Sequence, residues 1–278
     1  MAAADRPLIL VTNDDGIASA GLVAAVEAAL PLGDVLVVAP DRQWSGAARS
    51  MPQGSSGRIE RVAIQAGGQT LLAYQVDAAP ALVVLHALYE LVPRTPDLLI
   101  SGINFGENVG SDVTVSGTVG AALQGSICGV PALAASLETP TEMHYRVSGD
   151  VDFSAAVHFT RVFARLMLKG GLSRDVDVLK IDVPMEATSA TPWRVTRVSR
   201  CPYYVSSRPV RRNLGDPAII PYDVMSHPEA SEEESDIYAL AIDRFVAVAP
   251  LSIDLTSRVD LKELDSYLRG MDRAADRE

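Results

Sequence analysis

Two adjacent carboxylates end the first apolar run of the chain, Leu8-Ile9-Leu10-Val11-Thr12-Asn13-Asp14-Asp15-Gly16. Neighbouring like charges repel, and each raises the pKa of the other unless a cation sits between them. A hard divalent ion such as Mg²⁺ or Mn²⁺ is the natural partner for such oxygen donors. Two further apolar runs lead to neutral oxygen donors. One enters Asp41-Arg42-Gln43-Trp44-Ser45-Gly46, and the other enters a glycine-rich stretch, Gly102-Ile103-Asn104-Phe105-Gly106-Glu107-Asn108-Val109-Gly110. Asp14, Asp15, Ser45 and Asn104 together offer two carboxylates, a hydroxyl and an amide oxygen. That set suits a hard cation and disfavours structural zinc, which prefers Cys and His. Downstream, Ser116-Gly117-Thr118 opens a run of small residues with helical character. Free N–H groups at a helix start, with hydroxyls beside them, bind phosphate oxygens. Taken singly, an acidic turn, a loop serine and a helix cap are ordinary features. Placed at successive strand ends, they predict one metal and phosphate site.

The elements that must position these residues follow from periodicity. Residues 8–12, 35–39, 97–101, 131–136 and 176–183 read as buried strands, short and rich in branched side chains. Between them, residues 22–30, 81–91, 116–128 and 153–168 show helical spacing. Strand–helix–strand units place their strands parallel, and ligands of open α/β sheets bind at the carboxyl ends of the strands. Residues 58–64 and 70–76 flank Gly67-Gly68 and predict an inserted β-hairpin. The expected fold is α/β, a Rossmann-like three-layer core with a mostly parallel sheet. Residues 1–184 form that core, and residues 185–278 form an extended C-terminal part with a strand pair, an irregular arm and a terminal helix. Within that part, residues 193–198 alternate as a strand does. Residues 200–234, with five prolines and the basic group Arg208, Arg211 and Arg212, form an irregular excursion. Residues 236–242 and 245–249 read as a closing strand pair, residues 259–268 as a short amphipathic helix, and residues 269–278 as a frayed tail.

Composition narrows the partners. A formal net charge of −11 argues against nucleic acid polymers and anionic membrane surfaces, both of which need a basic face. The first residues, Met1-Ala2-Ala3-Ala4-Asp5-Arg6-Pro7, lack the pattern of a signal peptide, and no run is apolar enough to span a bilayer. Two cysteines, Cys128 and Cys201, make no disulfide framework. The expected location is the cytoplasm. The glycines at 102, 106 and 110 do not have the dinucleotide spacing, and neither a Walker sequence nor a nucleophile elbow is present.

Four ordered motifs carry a family resemblance: Asn13-Asp14-Asp15-Gly16, Pro40-Asp41-Arg42 with Ser45-Gly46, Ser101-Gly102-Ile103-Asn104 with Gly106 and Asn108, and Ser116-Gly117-Thr118-Val119-Gly120-Ala121-Ala122. The chain resembles the SurE family, the survival-protein nucleotidases. Weaker similarity runs on through Lys180-Ile181-Asp182-Val183-Pro184 and Ser235-Asp236-Ile237-Tyr238-Ala239-Leu240. The resemblance implies a metal-dependent phosphomonoesterase for nucleoside 5′- and 3′-monophosphates, built as a homodimer or homotetramer through its C-terminal part, residues 185–278. It implies one divalent ion (Mg²⁺ or Mn²⁺) per subunit on Asp14, Asp15, Ser45 and Asn104. It assigns phosphate contacts to Asn13, Gly46, Asn108, Ser116, Gly117 and Thr118. The implied reaction is in-line attack of water on a phosphate monoester, with Asp14 or Asp15 orienting that water or taking its proton.

One segment departs from the family. After Asp77, where relatives are polar, the chain reads Ala78-Ala79-Pro80-Ala81-Leu82-Val83-Val84. That change raises a second reading, a scaffold that kept the fold and lost turnover, and the same core would also suit a nucleotide- or sugar-nucleotide-binding module or transferase.

Overall fold

The computed structural model describes residues 6–144, 151–170 and 172–275. The first five residues, part of the stretch read for a signal peptide, and the last three of the expected tail lie outside the described residues.

Every residue of β1 (Leu8–Thr12) is buried. Successive side chains of a strand point to opposite faces, so Ile9 and Val11 enter one apolar cluster while Leu10 enters the other. This two-faced burial is the reason the run is continuously apolar rather than alternating. A helix, α1 (Ala20–Ala29), capped by the Ser19 hydroxyl, returns the chain to β2 (Asp34–Pro40), parallel to β1. The hairpin of β3 (Ile59–Ala66) and β4 (Gln69–Val76) follows, its turn made by Gly67 and Gly68, both at positive φ. Next come α2 (Pro80–His86), one π turn, and β5 (Leu98–Phe105) on the other side of β1. Then α3 (Gly117–Ile127), β6 (Ala132–Leu137), α4 (Ser154–Leu168) and β7 (Val178–Val183) extend the sheet.

The strand order is β3-β4-β2-β1-β5-β6-β7, completed by two strands from the last third of the chain: β11 (Val246–Leu251), antiparallel to β7, and β8 (Trp193–Val195) at the edge. Helices α1 and α4 cover one face, and α2 and α3 the other. The fold is the expected three-layer α/β core with a mostly parallel sheet. Residues 185–278 supply part of that same sheet as well as an arm. The arm holds a small antiparallel pair, β9 (Tyr204–Ser206) with β10 (Tyr222–Val224).

Three local expectations differ from the structure. Residues 236–242, read as a strand, form helix α5 (Asp236–Ala241). Ser235 caps it through the Tyr238 amide, and Ile237 and Leu240 share its buried side. The cap and the i, i+3 spacing outweighed the branched residues. Strand β5 continues through Gly102 to Phe105 with a shift of register against β6. Glycine is required there, because a Cβ at Gly102 would lie 2.2 Å from the Ala135 carbonyl oxygen. The last helix, α6 (Leu261–Ala275), runs through most of the tail that was expected to fray. Cys128 and Cys201 are both free thiols. Among the described residues, no helix is long and apolar enough to cross a membrane.

Candidate functional site

The chain turns from β1 to β2 on one side and later to β5 on the other, so β1 and β5 form a topological switch point. The two crossovers that leave these strands, α1 and α3, lie on opposite faces of the sheet. A crevice must therefore open at the carboxyl ends of β1 and β5. Asp14, Asp15 and Asn104 are placed there by the parallel register that pairs Thr12 with Ser101. The loop after β2 joins them through backbone bonds, from the Trp44 amide to the Asp14 carbonyl (2.7 Å) and from the Ile17 amide to the Pro40 carbonyl (2.8 Å). A cavity of about 250 Å³ opens at this point, with Asp14, Ser45, Gly46, Asn104, Asn108, Ser116 and Gly117 on its wall.

The donor set fits a hard cation. Both carboxylates are buried, and among the described residues neither has an ion-pair partner. Burial pushes Asp14 up to about 6, against the opposing bond from Thr118. Burial, reinforced by the charge of Asp14, pushes Asp15 up to about 7. Two acids held this way lack a positive charge, which a divalent ion would supply. The Asn104 side-chain nitrogen is committed to the carbonyls of Phe105 (3.2 Å) and Gly106 (2.7 Å), so its oxygen is the atom it offers. Among the described residues there is no group of three His, Cys, Asp or Glu side chains suited to a metal. A cation here would thus depend on two acids plus the neutral oxygens of Ser45 and Asn104.

The start of α3 abuts Asp14. The Thr118 hydroxyl donates to Asp14 Oδ1, and a Cβ at Gly117 would stand 2.6 Å from Asp14 Oδ2. Glycine at 117 is therefore dictated by the approach of a carboxylate. Gly120 has a similar reason: its missing Cβ makes room for the Ala48 carbonyl, 2.2 Å from the Cβ position. The loop carrying Ser45 docks on α3 in this way, with Arg49 bonded to Gln124 at 3.0 Å.

Six residues were expected to hold phosphate, and the structure separates them. Gly46, Asn108, Ser116 and Gly117 line the cavity, whereas Asn13 and Thr118 do not. Asn13 is fully buried and turns its side-chain nitrogen onto the Gly16 carbonyl at 3.1 Å. Thr118 is equally buried, spent on Asp14. Asp15 lies behind the cavity, bonded to the Phe105 amide (3.2 Å) and Gln43 (3.1 Å).

Other residues contribute to the site without a local sequence signature. Gln43 reaches Asp15, the Ser45 hydroxyl (2.9 Å) and the His144 carbonyl (2.7 Å), tying two loops to a third. His144, Tyr204 and Tyr222 form a ring cluster on the cavity wall, His144 stacked on Tyr222 with centroids 6.1 Å apart. Burial holds the His144 pKa below the usual histidine value, so the ring is neutral at physiological pH. Glu107 is buried on the same wall, where burial raises its pKa to about 7. The two tyrosines come from the irregular excursion. The Tyr203 and Tyr204 amides, both 2.8 Å from Asp112 Oδ2, anchor it. No local pattern announces a residue that reaches the site from about 100 positions away. By contrast, Ala78, Ala79, Ala81, Val83 and Val84 are fully buried, with Ala78, Val83 and Val84 in the apolar cluster of the α2 and α3 face, and none of residues 78–84 touches the cavity.

Residues 9–204 match the family described as Survival protein SurE. The chain belongs to the SurE family. The chain is 40% identical to the 5′-nucleotidase SurE of Thermococcus gammatolerans over 264 residues, 94% of this chain and 96% of that one. It is 38% identical to the 5′-nucleotidase SurE of Archaeoglobus fulgidus, covering 95% and 98%. The crystal structure of the SurE protein from Aquifex aeolicus superposes with a TM-score of 0.74 at 30% identity, covering 95% of this chain and 100% of that one. In this SurE-family chain the four motifs meet at one crevice, and the apolar segment after Asp77 falls in the core.

Proposed function

We propose that this chain is a divalent-metal-dependent phosphomonoesterase that hydrolyses nucleoside 5′- and 3′-monophosphates to nucleoside and inorganic phosphate. One observation carries the reading: a single cavity joins Asp14, backed by the buried Asp15, to the opening of a helix and a recess of aromatic rings. Those three parts match a cation, a phosphate and a nucleobase in turn.

One ion per subunit, Mg²⁺ or Mn²⁺, would be held by Asp14, Asp15, Ser45 and Asn104. When bound, it would draw charge from the phosphoryl oxygens and lower the pKa of adjacent water. Asp14 lies on the cavity wall and Asp15 behind it, so Asp14 is the carboxylate placed to take a proton from attacking water. Ser116, Gly117 and Asn108 face the equatorial phosphoryl oxygens, where polar groups set in advance stabilise developing charge. His144, Tyr204 and Tyr222 offer ring faces to the base, and such stacking tolerates any base identity. The subunits form a homo-oligomer. Leu261, Leu264, Leu268 and Met271 support this, being exposed at helical spacing along α6.

The deciding assay is phosphate release from a panel of nucleoside monophosphates with Mg²⁺ or Mn²⁺, with and without EDTA. Chelator-sensitive release is expected. Tight metal-dependent binding without release would instead mark a binding module.

A further inference from the structure

Two stretches of the family pattern, around Lys180 and Asp236, play no part in metal or phosphate contacts, yet their charges meet. Lys180 and Asp182 sit two apart on β7 and so face the same way. Asp236 opens α5. All three side chains are fully buried. The Lys180 ammonium bonds Asp182 and lies 3.2 Å from Asp236 Oδ2. Burial works against that ammonium, but the two carboxylates outweigh it and raise its pKa above the ordinary lysine value.

The remaining carboxylate capacity goes to backbone amides. Asp182 Oδ1 accepts from the Asn108 amide at 2.7 Å. Asp236 accepts from the amides of Gly110 (3.2 Å), Ser199 (3.0 Å) and Ile237 (3.0 Å). Asn108 is one of the residues that line the cavity, and its side-chain nitrogen is fixed on the Ser136 hydroxyl at 2.8 Å. Well-packed apolar residues often replace a buried ion group with no loss of stability. Stability is therefore a weak reason for three buried charges. Their common feature is that they fasten the glycine-rich loop to β7 and α5.

We propose that Lys180 and Asp182 are positioning residues for the phosphoryl group: Asp182 carries the Asn108 amide, and Lys180 locks Asp182 to Asp236. The phosphate wall of the cavity is then set by the last third of the chain. This role rests on the phosphomonoesterase reading above.

The test compares Asp182→Ala, Asp182→Asn and Lys180→Met in the full chain. Loss of register far from the chemistry costs about a hundredfold in rate. Asp182→Ala should therefore lose about a hundredfold in kcat/KM, with Mn²⁺ affinity, read by calorimetry, unchanged. Asp182→Asn keeps an oxygen for the Asn108 amide and should recover most of that loss. Lys180→Met should follow Asp182→Ala, and both should bind inorganic phosphate more weakly than wild type in the presence of Mn²⁺. Equal activity of Asp182→Ala and Asp182→Asn overturns the proposal, as does loss of Mn²⁺ binding in step with activity. Hydrogen exchange on the unaltered protein gives the answer if variants unfold. Asn108 and Gly110 amides as protected as those of β7 support it, and exchange at loop rates overturns it. If the wild type releases no phosphate, the phosphomonoesterase reading fails, while phosphate binding by the same variants still judges the positioning role.

Discussion

Replacing Asp15 by Asn separates what the site does for function from what it costs the fold. Burial and the neighbouring Asp14 raise the Asp15 pKa from 3.8 to about 7. Between those values the folded protein holds a proton that the unfolded chain has released, so stability falls as pH rises. At 1.36 kcal/mol per unit, the cost is about 2 kcal/mol at pH 5 and about 4 kcal/mol at pH 8. The amide of Asn cannot ionise and keeps an oxygen for the Phe105 amide. Its bond with Gln43 is lost, which costs about 1 kcal/mol. In EDTA, Asp15→Asn should therefore exceed wild type in stability by about 1 kcal/mol at pH 5 and about 3 kcal/mol at pH 8. Saturating Mn²⁺ should reverse the order. Wild type gains about 4 kcal/mol at a thousandfold excess over Kd, and the variant, short of a ligand, gains far less. Urea denaturation at both pH values, with EDTA or Mn²⁺, measures all four states. A variant no more stable than wild type at pH 8 in EDTA would refute the reasoning, because the carboxylate would then carry no burial penalty.

Asp14→Asn should lower phosphate release by roughly a thousandfold while leaving the circular dichroism spectrum intact, since an ionised group facing the reacting atoms is lost. Gly117→Ala pushes a methyl into Asp14, 2.6 Å from its Oδ2, and should weaken Mn²⁺ binding in a calorimetric titration. Replacing both Tyr204 and Tyr222 by Ala should raise KM for nucleoside monophosphates about tenfold, at about 1–3 kcal/mol per stacked base. Glycerol phosphate, which has no ring to stack, should be hydrolysed as before. Truncation after Ile253 removes the exposed stripe of α6 and should shift the species seen by analytical ultracentrifugation to a smaller oligomer.

The four motifs were legible because each is local: an apolar run stops, a turn follows, and oxygen donors appear within a few positions. The strand–helix–strand order makes β2, β1 and β5 parallel, and their adjacency in the folded sheet brings Asp14, Ser45 and Asn104 to one cavity. Glycines at 117 and 120 were visible as small residues of a helix, but their reason, a carboxylate and a carbonyl pressed against the helix, belongs to packing. Thr118 shows the limit of local reading. A hydroxyl at a helix start suits phosphate, yet here it serves Asp14 because β1 ends against α3. Residues 78–84 were legible as an apolar departure, and only tertiary structure removed them from the site. The same holds for His144, Tyr204, Tyr222 and the Lys180–Asp182–Asp236 group, drawn together from separate elements. By itself, then, the sequence determined the strand and helix segments of the core, their parallel crossovers and the chemistry of the donors, since these depend on near neighbours. Tertiary structure decided which donors face the cavity, what lines its far wall and what holds that wall in place, because those contacts close over long loops that leave no periodic trace.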